Sequence, residues 1–329
     1  MTGGNLSSEK IDLLIYGPNK PIIDKGFPDQ FVLHPAETRA DLERIGPAVD
    51  AKIRGAAVTY STARCDGGVM AMFPKLEIVA SFGVGYDHVE ANYAREHNII
   101  VTNTPDVLSE EVADIAMGLL ISTLREFIKA DRYVRSGLWT TQQYPLSVGS
   151  LRDRTVGFVG MGRIGQAIAR RLEASLVPVV YHTRNPVPGL KYKHYPNLIE
   201  MAKDVDTLMV IVPGGPSTAK MINAEVFKAL GPRGVVINVA RGSVVDEQAM
   251  IAALKSGGIL AAGLDVFANE PAVPDELKAM QNVVLLPHIG SASVVTRNAM
   301  DQLVVDNLKA WFAGKPPLTP IAETPAKGR

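Results

Sequence analysis

Residues 155–172 read Thr-Val-Gly-Phe-Val-Gly-Met-Gly-Arg-Ile-Gly-Gln-Ala-Ile-Ala-Arg-Arg-Leu, and this stretch decides the fold. Its first five residues are mainly β-branched or aromatic, which is typical of a buried strand. Three glycines follow in the pattern G-x-G-x-x-G, and then Ile164, Ile168 and Leu172 recur at helical spacing. A strand, a glycine turn and a helix in this order predict a dinucleotide-binding unit, whereas the glycine pattern alone would also fit an ordinary loop.

Each glycine has a separate role in that interpretation. Gly160 permits the tight turn, Gly162 lets a pyrophosphate approach the backbone, and Gly165 lets the helix pack closely against the strand. The exposed N–H groups and the positive end of the helix then bind the phosphates.

The composition describes a globular protein with balanced charge. The chain has 329 residues, a length that suits two domains rather than one. Hydrophobic residues make up 47% and charged residues 21%, which argues against a disordered chain. Because the formal net charge is zero, no basic excess favours a nucleic-acid or membrane-surface partner.

The cysteine content and the chain start indicate a cytoplasmic protein. One cysteine, Cys65, excludes an intramolecular disulfide, fits a reducing compartment, and is expected to serve packing rather than catalysis. Residues 1–10 are polar and contain no apolar signal core, and no uncharged apolar run is long enough to span a bilayer. No pattern of metal ligands is visible, so no metal is expected.

The part of the chain before residue 103 alternates between strand-like and helical stretches. Strands are predicted at Ile11–Tyr16, 56–60, 76–81 and 99–102, and Asp87 is expected to cap a helix that continues through Glu96. Strands separated by helices predict a parallel, doubly wound sheet.

Ser109 is predicted to begin a long apolar-periodic helix that continues towards Val134, with Glu110 and Glu111 in its first turn. After the glycine turn, strands are predicted at 177–181, 207–212, 234–239, 259–264 and 283–286. Helices are predicted at 198–203, Ala224–Leu230, 247–256 and Val294–Phe312, and residues 323–329 are expected to fray.

The end of the second nucleotide-domain strand indicates which dinucleotide binds. An NAD-binding unit usually carries Asp or Glu there, about twenty residues beyond the glycines, to hold the ribose 2′-OH. The segment Tyr181-His182-Thr183-Arg184-Asn185 contains no acid. Arg184 can pair with a 2′-phosphate, with Thr183 and Asn185 donating further hydrogen bonds. The alternative is a solvated surface arginine, but the missing acid favours NADP(H).

Polar side chains follow three further predicted strands, where open α/β sheets bind ligands. Arg241 follows one strand, Asp265 and Glu270 follow the next, and His288 follows the last. The fork of Arg241 matches a carboxylate, although alone it would more often form a surface ion pair. A lone histidine is most often a packing residue. The four together are hard to attribute to packing.

These residues resemble the D-2-hydroxyacid dehydrogenase (D-isomer-specific) family, and within it the glyoxylate/hydroxypyruvate and hydroxyphenylpyruvate reductases. The resemblance runs from Ser81-Phe82-Gly83-Val84-Gly85-Tyr86-Asp87 to Leu318-Thr319-Pro320, and it includes Asn103-Thr104-Pro105-Asp106-Val107-Leu108 and Leu285-Leu286-Pro287-His288-Ile289-Gly290-Ser291. It implies an α/β fold with two doubly wound parallel-sheet domains.

The resemblance also implies how the domains are arranged along the chain. A Rossmann nucleotide domain, residues 109–293, is inserted in a flavodoxin-like substrate domain, residues 1–108 and 294–329. An arm at about residues 109–150 is expected to join two copies into a homodimer.

Site roles follow from the matching motif positions. His288 is expected to be the general acid that protonates the substrate carbonyl, since an imidazole pKa of about 6.5 suits that task. Glu270 is its carboxylate partner, and Arg241 holds and polarises the 2-oxo acid. Val84 and Gly85 match a loop whose N–H groups bind the substrate carboxylate.

The residues expected to contact the cofactor share positions in the glycine turn and at the ends of the nucleotide-domain strands. They are Gly160, Met161, Gly162, Arg163, Ile164, Thr183, Arg184, Asn185, Val212, Pro213, Thr218, Val239, Ala240, Asp265, His288 and Gly290. Asp265 matches the acid that orients the nicotinamide.

Two departures from the family pattern stand out: the first leaves the nicotinamide-side contacts open, and the second prevents a simple transfer of the hydroxypyruvate preference. The loop that usually reads Pro-Leu-Thr is Val212-Pro213-Gly214-Gly215-Pro216-Ser217-Thr218 here, so Ser217 or Thr218 would supply the phosphate contact. Thr140, Thr141 and Gln142 follow Trp139, where animal-type glyoxylate reductases carry a second tryptophan.

The sequence therefore predicts an NADPH-dependent reductase of small 2-oxo acids such as glyoxylate, hydroxypyruvate or an aryl pyruvate. One alternative is an NAD-dependent D-lactate- or phosphoglycerate-type dehydrogenase, which the missing acid near His182 disfavours. Another is a non-enzymatic dinucleotide-sensing protein of the corepressor type.

Overall fold

The computed structural model describes residues 10–59, 63–147 and 149–325. The chain divides into two compact units, Met1–Leu108 with Val294–Arg329, and Ser109–Ser293. We call them the first unit and the second unit. The predicted polar start at 1–9, the end of the second predicted strand at Tyr60, and residues 326–329 lie outside the described residues.

Twelve strands and thirteen α-helices are assigned within the described residues. The strands are β1 (Ile11–Tyr16), β2 (Phe31–Ala36), β3 (Ile53–Val58), β4 (Ile78–Ser81), β5 (Ile100–Thr102), β6 (Val156–Val159), β7 (Val179–His182), β8 (Lys193–Tyr195), β9 (Thr207–Val210), β10 (Val235–Asn238), β11 (Ala261–Leu264) and β12 (Val283–Leu285). The helices are α1 (Pro21–Lys25), α2 (Arg39–Ile45), α3 (Pro47–Asp50), α4 (Gly67–Ala71), α5 (Ala91–Glu96), α6 (Ser109–Arg125), α7 (Phe127–Arg135), α8 (Arg163–Ala174), α9 (Leu198–Asp204), α10 (Ala224–Leu230), α11 (Glu247–Lys255), α12 (Asp275–Ala279) and α13 (Val294–Phe312). Short 3₁₀ helices cover Leu138–Thr140 and Gly242–Val244.

The first unit is built on a parallel five-stranded sheet in the order β2-β1-β3-β4-β5. This is the order of the flavodoxin fold. Helix α13 covers one face of the sheet through its buried residues Val304, Val305 and Leu308. The predicted doubly wound sheet is confirmed.

The second unit is built on a parallel seven-stranded sheet in the order β12-β11-β10-β9-β6-β7-β8. The order in which successive strands are added to the sheet reverses at the neighbouring strands β6 and β9, which pair in parallel. In open α/β sheets, ligands bind at the carboxyl ends of the strands beside this reversal. The glycine turn follows β6 directly, as the sequence predicts, and the predicted Rossmann order is confirmed.

The long helix predicted from Ser109 towards Val134 is two helices. The backbone of Glu126 adopts a left-handed conformation (φ 55°), and α7 begins after it. Helix α6 packs against α8, where Arg171 binds Glu110 at 2.7 Å. The apolar side of α6 therefore belongs to the core of the second unit. Periodicity alone could not reveal the break, because apolar residues continue on both sides of Glu126.

One further helix prediction is wrong, and so is the described part of the prediction for the chain end. Helix α5 begins at Ala91, so Asp87 does not cap it, and Glu90 occupies the N-cap position without a side-chain hydrogen bond. The tail is not frayed at Glu323 and Thr324. The Thr324 side chain is buried, and its Oγ1 accepts a hydrogen bond from the Val101 N–H at 2.9 Å.

The strands that the sequence did not predict, β2 and β8, are edge strands. Strand β2 contains His34 and Pro35, and β8 begins with Lys193, which weakens the apolar signal. Proline and charged residues are typical of sheet edges. No helix of the described chain has the length and apolar content needed to cross a membrane.

Candidate active site

The glycine turn is tightly packed at Gly160 and Gly165 and open at Gly162, as a pyrophosphate site requires. Gly160 has φ +101°, and a Cβ there would lie 2.4 Å from the Ile211 carbonyl oxygen. A Cβ at Gly165 would lie 3.0 Å from the Gly160 oxygen, whereas one at Gly162 would meet nothing within 4 Å. Gly160 and Gly165 thus close the turn, and Gly162 leaves its outer side open. The residues present fit a dinucleotide.

The first turn of α8 supplies donors for that ligand. Gly162 is the N-cap residue of α8, and no side chain caps the helix. Its first N–H groups have no intrahelical acceptor, which is the usual basis for binding phosphate at a helix start. Met161 is buried, so its predicted contact with the cofactor stays a prediction. Arg163 is exposed and Ile164 half-buried at the start of the helix.

The segment after β7 exposes a cation. Arg184 and Asn185 are exposed, and Thr183 donates its hydroxyl to the Asn185 carbonyl oxygen at 2.6 Å. That bond shapes the turn, so Thr183 would have to rotate before it could donate to a phosphate. Among the described residues, no carboxylate pairs with Arg184.

The loop after β9 lies against the glycine turn. A Cβ at Gly160 would meet the Val212 side chain at 2.8 Å, which places Val212 beside the expected pyrophosphate. Thr218 donates its hydroxyl to the Pro213 carbonyl oxygen at 2.7 Å. This bond closes the loop, so the hydroxyl predicted to reach a phosphate is engaged within the protein.

Arg241 is carried on a turn that two unpredicted residues hold. The buried Asn238 donates from Nδ2 to the Arg241 carbonyl oxygen and accepts from the Ala240 N–H, both at 3.0 Å. A Cβ at Gly242 would lie 1.9 Å from the Phe267 carbonyl carbon, so this turn packs directly on the Phe267 peptide. Val239 and Ala240 are buried beneath it. The end of β10 is thereby fixed against the loop after β11.

Glu270 and His288 form a hydrogen-bonded pair. Oε2 of Glu270 lies 2.7 Å from Nδ1 of His288, and Oε1 accepts from the Phe267 N–H at 3.0 Å. Since Nδ1 faces Glu270, Nε2 is the ring nitrogen left for a substrate. Burial raises the pKa of Glu270, but hydrogen bonds from His288 and Phe267 and the charge of Arg241 outweigh it. The net pKa is below the usual value.

Asp265 holds the backbone that carries His288. Its carboxylate is 2% exposed and accepts from the N–H groups of Ile289 at 2.7 Å and Gly290 at 2.8 Å. His288 itself has φ 55°, a left-handed conformation that needs such support. Burial raises the pKa of Asp265 despite these two hydrogen bonds. A direct contact from this carboxylate to a nicotinamide stays a prediction.

The first unit carries a loop with two open donors of its own. Gly83 donates to Thr104 Oγ1 at 2.9 Å, and Asn103 Nδ2 donates to the Val84 carbonyl oxygen at 2.7 Å. No hydrogen bond within the described residues uses the N–H of Val84 or Gly85. The loop is thus fixed by its neighbours while two adjacent donors stay available for an anion.

The same loop is tied to the chain end. The Tyr86 hydroxyl donates to the Glu323 carboxylate at 3.0 Å. The pKa of Tyr86 is raised to about 12, mainly by burial and secondly by the neighbouring Glu323 carboxylate. The Thr319 hydroxyl donates to the Asn103 carbonyl oxygen at 2.6 Å. Segment 319–324 therefore supports the loop from behind.

Cys65 and the acidic residues offer no alternative centre. Burial raises the pKa of the Cys65 thiol to about 12, so it is a packing residue rather than a nucleophile. Within residues 10–59, 63–147 and 149–325, no group of His, Cys, Asp and Glu could hold a metal ion.

Each of the two units brings together residues that are distant in the sequence. Arg241, Asp265, Glu270 and His288 meet at the ends of adjacent strands of the second unit. The supporting residues Asn238, Gly242, Asn103 and Thr104 were not predicted. Asn238 and Gly242 flank Arg241 in the sequence, but nothing in a single sequence marks a buried asparagine or a crowded glycine.

Known proteins resemble this chain over most of its length. A family model described as D-isomer specific 2-hydroxyacid dehydrogenase, NAD binding domain, matches residues 117–290. A glyoxylate/hydroxypyruvate reductase of Arabidopsis thaliana is 47% identical over 81% of this chain and 85% of the relative. A hydroxyphenylpyruvate reductase of Plectranthus scutellarioides is 43% identical over 95% of this chain and 99% of the relative.

A solved structure is similar across both units. It is an NADPH-dependent glyoxylate/hydroxypyruvate reductase from Sinorhizobium meliloti, in complex with NADP and malonate. The TM-score is 0.91 at 52% sequence identity, and the match covers 98% of this chain and 99% of the other.

Gly242→Ala tests whether the Arg241 turn depends on close packing. A methyl group there would overlap the Phe267 peptide, so the free energy of unfolding should fall by about 1–3 kcal/mol or more. Denaturant titration measures the loss. Gly118→Ala is the matched control, since nothing lies within 4 Å of a Cβ there, and helix α6 should gain slightly. Equal stability of the two variants would contradict the packing argument.

Proposed function

This chain belongs to the D-isomer specific 2-hydroxyacid dehydrogenase family, and we propose that His288 is the proton donor in its reduction of small 2-oxo acids. The enzyme is an NADP-dependent 2-hydroxyacid dehydrogenase that yields D-2-hydroxy acids. The observation that carries the proposal is the 2.7 Å contact between His288 and Glu270 at the strand ends that also carry Arg241.

The cofactor site uses the glycine turn and the segment after β7. NADPH, when bound, supplies the hydride. The start of α8 and the open side of Gly162 bind the pyrophosphate, and the exposed Arg184 binds the 2′-phosphate. Asp265 keeps Ile289 and Gly290 in place at the nicotinamide end. The NADP bound to the Sinorhizobium meliloti relative supports NADP(H) as the cofactor.

The substrate is held by its carboxylate. In the first unit, Val84 and Gly85 provide two adjacent N–H donors for a carboxylate. In the second unit, Arg241 provides a planar fork that matches a carboxylate and can polarise a neighbouring carbonyl. Glyoxylate and hydroxypyruvate are the substrates that the relatives' names favour, with aryl pyruvates as the larger candidates. Malonate, present in the complex of the solved relative, is likewise a small carboxylate anion, although it has no 2-oxo group.

The proton moves through His288. Nε2 donates to the carbonyl oxygen as that oxygen gains negative charge, and Glu270 stabilises the imidazolium before transfer. Because the pKa of Glu270 is lowered, its carboxylate stays charged until the pH falls below the usual value of about 4.3. Its contribution to the pair is therefore present throughout the neutral range and lost only in acid.

A substrate panel tests the proposed activity. Purified protein should oxidise NADPH, and NADH less efficiently, in the presence of glyoxylate, hydroxypyruvate, pyruvate or phenylpyruvate. Failure with every one of these acids would disprove the proposed function and favour a dinucleotide-sensing role.

Replacing His288 and Glu270 tests the proton path. His288→Ala should lower kcat by roughly 10²–10⁴-fold while NADPH still binds, because the glycine turn is unchanged. Reduction by the wild type should decline as the pH rises, since it needs imidazolium, and oxidation should decline as the pH falls. Glu270→Gln should move the midpoint of the reductive decline to lower pH, because the imidazolium loses its stabilising anion.

The pH profile separates chemistry from structure. A merely structural Glu270 would lower the rate in the Gln variant without moving the midpoint. A His288→Ala variant that keeps most of its kcat with every acid would show that another group donates the proton.

Arg184→Ala tests the cofactor preference. Loss of a charge-assisted hydrogen bond worth about 1.5–3 kcal/mol should raise KM for NADPH by one to two decades and leave KM for NADH nearly unchanged. Arg152→Ala, which removes another exposed arginine of the second unit, is the control. Equal changes with both cofactors would mean that Arg184 is structural.

The enzyme is further proposed to be a homodimer in the cytoplasm. The segment 127–146 exposes six large apolar side chains: Phe127, Ile128, Val134, Leu138, Trp139 and Leu146. Six large apolar side chains exposed within one segment favour a protein partner, and the family resemblance favours a second copy. The single, buried Cys65 suits a reducing compartment.

Val134→Glu tests the dimer. Val134 is 55% exposed, and a charge buried in the proposed interface should reduce the mass measured by light scattering from two chains to one. Leu176→Glu is the control, because Leu176 is 90% exposed but lies outside the segment. A monomeric wild type at micromolar concentration would disprove the proposal.

A further inference from the structure

Two cations flank the ring of Phe82, the residue immediately before the Gly83–Gly85 loop. Lys20 Nζ lies 3.1 Å from the ring centroid, and the Arg297 guanidinium carbon lies 5.1 Å from it. Lys20 follows β1, Phe82 follows β4, and Arg297 belongs to α13, so three separate elements meet at this ring. All three belong to the first unit.

The charges of this cluster are not balanced. Lys20 binds Asp301 at 3.0 Å, and both side chains are largely buried, at 14% and 9% exposure. Arg297 is half-buried, and no carboxylate of the described residues lies within ion-pair distance of it. The cluster therefore holds two cations and one carboxylate, Asp301, which contacts Lys20 directly and acts on Arg297 only through space.

The direction of α13 places Arg297 at the same edge of the sheet as the Gly83–Gly85 loop. At the far end of the helix, Trp311 donates to Glu77, which precedes β4, and Phe312 packs on Gly55 near the start of β3. Arg297 is the fourth residue of the helix and contacts Phe82, beyond the end of β4. The helix thus spans the sheet from its carboxyl edge to its amino edge, with Arg297 at the former.

This placement is unfavourable without an anion. A cation near the start of a helix opposes the helix dipole, and a partly buried guanidinium with no carboxylate in direct contact loses solvation that the more distant Asp301 restores only in part. Contact with the Phe82 ring compensates for only part of that cost. A carboxylate bound at the Val84 and Gly85 N–H groups, in the loop that Phe82 leads into, would supply the missing negative charge.

We propose that Arg297 is a substrate-binding residue that attracts the carboxylate of the anionic 2-oxo acid to the Val84–Gly85 loop. The inference rests on the proposed function and adds to it a source of selectivity for anionic substrates. Lys20 is neutralised by Asp301 and fixes the other side of the Phe82 ring. The effect of Arg297 is electrostatic, so salt should weaken it.

Steady-state kinetics at two ionic strengths test this role. In Arg297→Met, kcat/KM for glyoxylate should fall about three- to tenfold at roughly 10 mM salt, mostly through KM, with KM for NADPH unchanged. At about 0.5 M salt the difference from wild type should shrink to less than about twofold, because screening removes it. Arg297→Lys should keep most of the wild-type value at both salt concentrations.

Arg44→Met is the matched control. It removes the same charge from the same unit at a side chain that is 79% exposed and pairs with Asp41. Its kcat/KM should stay close to wild type at both ionic strengths. Calorimetric titration of oxalate, an unreactive anion, into the enzyme with NADP gives the same comparison without turnover.

The following results would overturn the proposed role of Arg297. A loss in Arg297→Met that is equal at low and high salt identifies a structural role and overturns the inference. An unchanged KM, or an equal loss in Arg44→Met, also overturns it. Wild-type protein that reduces no 2-oxo acid would disprove the proposed function instead, and oxalate binding that is unaffected by Arg297→Met would then overturn this inference separately.

Discussion

The backbone at His288 is the constraint on which the candidate site depends. A left-handed residue between a strand and a loop is strained unless its surroundings hold it, and Asp265 does so with both carboxylate oxygens. With the backbone fixed, a single contact from Glu270 sets the ring. The orientation of Nε2 is therefore decided mainly by main-chain hydrogen bonds that never touch a substrate.

Parallel strands explain why so few residues are needed to assemble this site. The carboxyl ends of β10, β11 and β12 are adjacent because the strands pair in register. Because residue 242 is glycine, no side chain separates the end of β10 from the loop after β11, which contains Phe267. The charge of Arg241 consequently reaches Glu270 and helps to keep that carboxylate ionised.

Sequence reasoning reached the fold because its two strongest signals are local. The glycine pattern after a buried strand predicted β6, the turn and α8, and apolar runs predicted every central strand to within three residues at either end. The edge strands β2 and β8 and the break at Glu126 escaped because partners across space, rather than local periodicity, decide them. The ionisable candidate residues Arg241, Glu270 and His288 were predicted, whereas Asn238 and Asn103 were not. The two asparagines form hydrogen bonds with backbone groups of neighbouring loops, and a sequence does not show which groups lie there.

The loop of Gly83, Val84 and Gly85 shows how a protein keeps donors open without destabilising its fold. A backbone N–H that is buried without an acceptor is costly, so unused donors persist only where solvent or a ligand reaches them. Val84 and Gly85 are half-buried, and every anchoring bond of the loop comes from a neighbour such as Thr104, Asn103 or Glu323. Because these anchors bind from behind, the two free N–H groups stay in place before a carboxylate arrives. Binding then needs little reorganisation, which is the condition under which a modest, salt-sensitive attraction from one nearby arginine can change the affinity measurably.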